Sequence, residues 1–176
     1  MKKYKAIAIP VTFEDDRPRF LTVRDRRFKD WIFVTGGCRR REIYNPLRCA
    51  LRELEEETRG VVSLKKGEYT EFTFIHKESP LVELVYNVYI FFVDYKRPEQ
   101  QSLIKKFNDE KTRTNLKKIN KEPIKKTYDE NDFMSFDTLE EFNVRKRWDL
   151  IIRNVIQNPE FYSCVTSLNR KTFGIK

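Results

Sequence analysis

Residues Trp31–Gly60 read WIFVTGGCRRREIYNPLRCALRELEEETRG, and the fold turns on how this stretch is parsed. Asp30–Thr35 is a short apolar run that reads as a strand. It stops at Gly36–Gly37, where two glycines allow close backbone approach or a positive φ. A charged loop, CRRREIY, leads to Asn45 and Pro46, a capping residue followed by proline at the first helical position. Gly60 stands just past the far end of the helix. Leu47, Ala50, Leu51, Leu54 and Thr58 form one stripe at helical spacing. Glu53, Glu56 and Glu57 lie together on a different face, and Glu55 points toward solvent.

That acidic face is electrostatically costly. Like charges three or four positions apart on a helix repel by roughly 0.2–0.5 kcal/mol per pair. The pairs Glu53–Glu56 and Glu53–Glu57 have that spacing. The cost disappears if the face binds cations, since clustered carboxylates are ligands for hard ions such as Mg²⁺. Such ions bridge phosphate oxygens and activate water. The alternative for an acidic helical run is a solvated face, and the surrounding residues decide between the two.

Gly37, Glu42, the run Arg52-Glu53-Leu54-Glu55-Glu56-Glu57 and Gly60 together resemble the signature of the Nudix hydrolases, G-x5-E-x7-R-E-U-x-E-E-x-G-U with U aliphatic. The R-E-U-x-E-E core is matched in full. The spacing departs elsewhere: four residues separate Gly37 from Glu42, nine separate Glu42 from Arg52, and Gly60 is one residue late. The resemblance implies an α/β fold, the Nudix-type α/β/α sandwich with a mixed β-sheet, and Mg²⁺- or Mn²⁺-dependent hydrolysis of a pyrophosphate linked to a nucleoside. It assigns metal binding to Glu53, Glu56, Glu57 and the Gly37 carbonyl. It gives Arg52 the task of orienting a catalytic glutamate. An acidic residue from a later loop completes such sites, here Glu130 as base or extra ligand, with Asp129 next. The altered spacing leaves the role of Glu42 open.

Outside this stretch, Ala6–Phe13 and Arg19–Val23 read as strands, as do Glu68–Ile75 and Leu81–Asp94 around a turn at Ser79–Pro80. Asn131–Phe136 reads as a last strand. Residues 138–158 read as a C-terminal helix with Leu139, Phe142, Trp148, Ile151, Ile152, Val155 and Ile156 as packing residues. Residues 96–127 are Lys-rich and poor in large apolar groups, and read as an insertion or loop with short helical pieces at most. The 176 residues make a single domain by length. His76, the only histidine, reads as a packed or surface residue, and Cys49 as buried.

The net charge of +9 favours anionic partners. Arg39, Arg40 and Arg41 stand next to the expected metal site, as phosphate contacts or as a solvated loop. The Lys-rich 96–127 segment suits a phosphate backbone or plain solvation in equal measure. Trp31, Tyr44, Phe72, Phe74, Tyr86 and Tyr89 include candidates for stacking a base. A large anionic substrate fits this basic surface, and the 5′ cap of mRNA is the leading candidate, by resemblance to the decapping members of the family, including those of large DNA viruses. The alternatives are a small-molecule pyrophosphatase (dinucleoside polyphosphate, ADP-ribose or diphosphoinositol polyphosphate) and a non-catalytic RNA- or nucleotide-binding module. Three cysteines without C-x-x-C spacing fit a reducing intracellular setting, cytoplasmic with the nucleus as alternative. No segment approaches the roughly 20 apolar residues of a membrane span, so no membrane partner is expected.

Overall fold

The computed structural model describes residues 1–65, 67–145 and 150–169. Strand β1 (Lys2–Glu14) is the spine. It pairs in parallel with β6 (Val82–Phe92) along one side, Ala6 opposite Asn87 and Ile9 opposite Ile90. Along its other side it pairs antiparallel twice, with β2 (Arg17–Asp25) at one end and β4 (Val34–Gly37) at the other. Strand β5 (Tyr69–Ser79) closes an antiparallel hairpin with β6, as the alternating pattern predicts. Strands β3 (Trp31–Ile32) and β7 (Asn131–Asp137) both pair with β2. The sheet is therefore mixed, as expected.

Alternation along β1 and β6 builds the layers, because successive side chains leave a strand on opposite faces. Ile7, Ile9, Val11, Val88 and Ile90 join Phe20, Phe33, Phe142, Ile152, Val155 and Phe161 on one face. There the sheet meets helices α3 (Leu139–Arg145), α4 (Leu150–Gln157) and α5 (Pro159–Thr166). Ala6, Ala8, Leu21, Val34, Tyr89 and Phe91 face the other way, against Cys49, Ala50, Leu54 and Phe107. The helices there are α1 (Pro46–Glu57) and α2 (Arg97–Ile119). Two alanines on β1 let α1 lie close to the sheet. Its Cys49, Ala50 and Leu54 are completely buried, and a fully buried leucine is worth about 1.5–3 kcal/mol. The result is the α/β/α sandwich expected from the signature.

Four details differ from the sequence reading. The run 30–35 is two strands, because the chain crosses from β2 to β1 at Phe33, whose ring packs against Phe20 and Phe142. The glycine pair lies inside β4, Gly36 opposite Ala6 and Gly37 opposite Lys5, so it does not end the strand. Asn45 is the N-cap of α1 by position, but its side chain makes no capping bond. At the other end the Thr58 hydroxyl donates to the Leu54 carbonyl, and Gly60 takes a positive φ of 78°.

The fourth difference is the largest. Residues 97–119 form one 23-residue helix, not a loop with short helical pieces. Its inward stripe runs Gln100, Leu103, Ile104, Phe107, Lys111, Thr114, with Gln100 and Phe107 buried and the rest half-buried; it has helical spacing but is half polar. The apolar period is therefore too weak to see. Arg97 Nε pins the start through both oxygens of Glu14 (2.8 Å each) and Gln100 Nε2 donates to the Tyr95 carbonyl (2.8 Å). Of the C-terminal helix expected at 138–158, residues 139–145 and 150–157 are helical, and Trp148 lies outside the described residues. Asn158 caps the additional helix α5, its side chain accepting from the Glu160 N–H.

Candidate active site

Helix α1 lies against β1 and β4, so its acidic face meets the end of β4. Glu53 and Glu57 are 8% and 6% exposed, which is rare for carboxylates. The Glu53 carboxyl group occupies the space beside Gly36: a Cβ built on residue 36 would stand 1.9 Å from its carboxyl carbon. Glycine at 36 makes the cradle for that carboxylate. Glu57 accepts from Asn131 Nδ2 on its carbonyl (3.0 Å) and its Oε2 (3.4 Å). Burial pushes the Glu57 carboxyl well above its ordinary value, and the charges of Glu53 and Glu130 add to the shift. Glu53 is raised too, first by burial and further by Glu56 and Glu130, against the pull of Arg52.

Arg52 organises the face. Its Nε donates to Glu42 Oε2 (2.8 Å) and its Nη2 to Glu42 Oε1 (2.9 Å), a bidentate fork. The same Nη2 donates to the Gly37 carbonyl (3.1 Å). Nη1 donates to both Glu53 Oε1 (3.0 Å) and Glu56 Oε2 (3.2 Å). Glu42 is buried, also accepts from the Arg39 N–H (2.8 Å), and its carboxyl falls to about 2, chiefly through its hydrogen bonds from Arg52. The role left open by the spacing is therefore structural: Glu42 anchors the arginine. Of the three consecutive arginines, Arg39 reaches the face, with Nη2 3.6 Å from Glu56 Oε1. Arg40 and Arg41 are exposed on the 3-10 turn Arg40–Glu42.

The loop before β7 carries the two further acids expected from the sequence. Asp129 and Glu130 are neighbours with opposite surroundings. Asp129 is buried and held by Arg26 (2.8 Å), Arg59 (3.1 Å) and Lys118, and its carboxyl is lowered by these cations against the effect of burial. It is committed to structure. Glu130 is raised, first by loss of water and then by the charges of Glu56 and Asp25. Glu130, unlike Asp129, is near enough to the acidic helix for its charge to act on Glu53 and Glu57. The Arg26 N–H fixes its backbone by donating to the Glu130 carbonyl (2.9 Å). Asp132 pairs with Lys29 (3.1 Å). Glu55, read as solvent-facing, instead accepts from the Tyr128 hydroxyl (3.0 Å). Cys49 is buried, and His76 sits half-exposed in β5, beyond β6 from β1.

Several participants carry no signal of their own in the sequence. Arg59 is buried at the end of α1 with a positive φ of 57° and donates twice to the Asn131 carbonyl (3.2 and 2.7 Å). Its guanidinium lies 5.3 Å from the centre of the Phe107 ring. Asn131 and Tyr128 are equally unmarked. Gly36 was legible: five residues separate it from Glu42, the spacing the Nudix pattern demands, whereas Gly37 gives four.

The face suits a divalent cation. The carboxyl group in the Gly36 cradle is crowded by like charges, and oxygen donors are what Mg²⁺ and Mn²⁺ take. Glu53, Glu56 and Glu57 would hold the ion, with Glu130 at the rim. Among the described residues no three such side chains stand as a ready-made ligand group. Arg52 Nη1 sits on both Glu53 and Glu56, and the Gly37 carbonyl is taken by Nη2. An entering ion competes with those bonds.

Known proteins match this arrangement at the level of fold and family. The sequence matches the NUDIX domain over residues 2–151. The NUDIX domain of Shewanella oneidensis NrtR, solved in complex with ADP ribose, superposes with a TM-score of 0.58 at 12% identity, covering 93% of this chain and 89% of that one. A Caenorhabditis elegans Ap4A hydrolase binary complex gives 0.51 at 10% identity, covering 94% and 96%. A MutT NUDIX hydrolase from Burkholderia pseudomallei gives 0.50 at 15% identity, covering 88% and 95%. No curated protein matches the sequence significantly.

Proposed function

The chain belongs to the Nudix family, and on that premise we propose that it is a divalent-metal-dependent pyrophosphohydrolase acting on a large anionic substrate, the 5′ cap of mRNA in the leading reading. A Mg²⁺ or Mn²⁺ ion bound at the acidic face would neutralise phosphate charge and make water more acidic. The protein groups divide the remaining work. Glu53, Glu56 and Glu57 present carboxylates, Arg52 holds two of them in place from its anchor on Glu42, and Glu130 is the group at the rim able to accept a proton. Its raised carboxyl suits that task better than an ordinary one.

The observation that carries the substrate reading is the attachment of the basic helix to this loop. Helix α2 runs beside β7, and its Lys118 holds Asp129, the residue before Glu130. Lys117, Lys121, Lys125 and Lys126 are exposed around the same loop. A polyphosphate chain leaving the acidic face would meet them, as RNA attached to a cap does. Lys111 has a different task, donating to the Asp132 carbonyl (2.7 Å) and so pinning α2 to β7.

The test is turnover of capped RNA, ADP-ribose, dinucleoside polyphosphates and diphosphoinositol polyphosphates with Mg²⁺ or Mn²⁺. Capped RNA is expected to release a nucleoside diphosphate fastest. Faster turnover of a small substrate would favour the second reading, for which the solved complex of a similar fold with ADP ribose is the supporting observation. A fall in turnover of on the order of 100-fold or more in Glu56→Gln and Glu57→Gln separates an enzyme from a binding module. Cytoplasmic residence is part of the same proposal, since mRNA caps are found there.

A further inference from the structure

The sheet ends on one side at β5, which pairs with β6 alone. In an antiparallel pair the residues of a strand alternate: one turns its backbone N–H and C=O toward the neighbouring strand, and the next turns both away. The Phe92 N–H donates to the Glu68 carbonyl (2.9 Å) across this hairpin, which fixes the phase. Thr70, Phe72, Phe74 and His76 therefore bond to β6, and Glu71, Thr73, Ile75 and Lys77 turn their backbone groups outward. Among the described residues, the contact to these outward groups is a weak one from Cys164 Sγ of α5, 3.8 Å from the Glu71 carbonyl. At the other end of the sheet, by contrast, α2 runs beside β7 and Lys111 holds the Asp132 carbonyl.

An open edge is a template for another strand, and proteins that keep such an edge unpaired shorten it, kink it or place proline along it. Strand β5 has 11 residues without a proline, and its register shift lies at the far end, between Lys77 and Ser79. Glu71, Thr73, Ile75 and Lys77 are exposed, Ile75 by 57%. This edge is complementary to itself. Outward residues must oppose outward residues for a new ladder to form. In the antiparallel register that sets Phe74 opposite Phe74, Glu71 opposes Lys77 and Lys77 opposes Glu71, with Thr73 and Ile75 opposed between them. Opposite charges in such cross-strand pairs attract. A slip of two residues in either direction loses both charge pairs, because Glu71 then faces Ile75 or Ser79.

We propose that β5 is a self-association edge, pairing antiparallel with β5 of a second copy about a two-fold axis at Phe74 and joining the two sheets into one. The interface is isologous, the same patch used twice, so assembly stops at two chains. The two Phe74 side chains meet in a non-hydrogen-bonded pair, where opposed side chains are closest. Each ring stacks on Tyr86 of its own chain at 4.9 Å, which holds it in place. Directly opposed residues share a face of the sheet, so both α1 helices lie on the same side of the joined sheet. Helix α1 packs on β1 and β4, across β6 from this edge, and both acidic faces stay open.

The experiment is sedimentation velocity of the full chain over a dilution series. Wild type is expected to pass from dimer to monomer on dilution. Glu71→Lys and Lys77→Glu each turn two attractions into two repulsions, and each should raise the dimer dissociation constant at least about tenfold. Mixing the two variants sets lysine opposite glutamate at both pairs again, so the mixture should associate as wild type does. Both positions are exposed, and the variants should keep the wild-type melting temperature. Amide hydrogen exchange reads the same edge: at dimer concentrations Thr73, Ile75 and Lys77 should exchange more slowly in wild type than the same three positions do in Lys77→Glu. A wild type that stays monomeric at every concentration, a dimer that withstands both single substitutions, or a mixture that fails to associate overturns the proposal.

Discussion

Replacing Gly36 by alanine separates the chemistry of this site from its stability. The new Cβ would stand 1.9 Å from the Glu53 carboxyl carbon and 2.2 and 2.3 Å from its two oxygens. Ordinary contact lies above 3.4 Å, so the carboxyl group must retreat by about 1.5 Å. The clash involves the tip of a flexible side chain, so a rotamer change relieves it at a folding cost of about 0.5–1.5 kcal/mol. At about 2–4 °C per kcal/mol for a chain of this length, the melting temperature should fall by only a few degrees. The same movement displaces a carboxylate proposed to bind the metal. A 1 Å misplacement costs on the order of 100-fold in rate, which is about 2.7 kcal/mol of barrier. Gly37→Ala is the internal control, since a Cβ there meets nothing within 4 Å. Paired measurements of kcat, Mg²⁺ activation and melting temperature on both variants decide the matter. Equal activity in the two would refute the assignment of Gly36 as the Glu53 cradle and of Glu53 to the metal face.

Four further outcomes are expected. Glu57→Gln should lower kcat by on the order of 10²–10³-fold, the cost of one preorganised electrostatic group, yet raise the melting temperature in EDTA at neutral pH. Its folded carboxyl lies above the ordinary value, so the folded state binds more protons, and ionisation as pH rises past that ordinary value destabilises it; a lower melting temperature would contradict this. Glu42 has the opposite sign: it falls from 4.5 to about 2 in the fold, so its stabilisation is full above about 4.5 and is lost as pH drops toward 2, and the gap in denaturant stability between wild type and Glu42→Gln should close over that window. Arg59→Met should cost about 3 kcal/mol by leaving a buried partner less well paired, and should reduce kcat more than KM because Asp129 no longer holds the Glu130 loop; a purely thermal effect would confine Arg59 to folding. Charge reversal at Lys117, Lys121 and Lys126, leaving the committed Lys118 intact, should weaken RNA binding in low salt and flatten its salt dependence, and unchanged affinity would remove the helix from the substrate path.

The elements that announced themselves did so through local periodicity. The β1–β2 and β5–β6 hairpins showed alternation between turn residues, and α1 showed a capping position, a proline and an apolar stripe ending in glycine. Helix α2 did not, because its inward stripe combines Leu103, Ile104 and Phe107 with Gln100, Lys111 and Thr114. Its polar members are satisfied by partners distant in sequence, such as the Asp132 carbonyl for Lys111. No composition window can register such partners. The split at Phe33 was invisible for a related reason, since one apolar run serves two neighbouring strands.

Within the site, sequence by itself determined which residue types were available and which of them share a helical face. Three glutamates at positions i, i+3 and i+4 must project together from any helix, whatever surrounds it, so Glu53, Glu56 and Glu57 were legible as a unit, and Arg52 with them. Tertiary structure decided everything that depends on desolvation and on distant neighbours. Asp129 and Glu130 are adjacent acids that no local rule distinguishes, yet one is held below the ordinary carboxylate range by three cations and the other is raised beside Glu56. Glu42 became an anchor because Arg52 forks onto it ten residues away. Gly36 became the cradle because β4 lies under α1. Charge spacing along a helix is fixed by its pitch, whereas the dielectric and the partners around each charge exist only once the sheet, the loop and both helices have closed on one another.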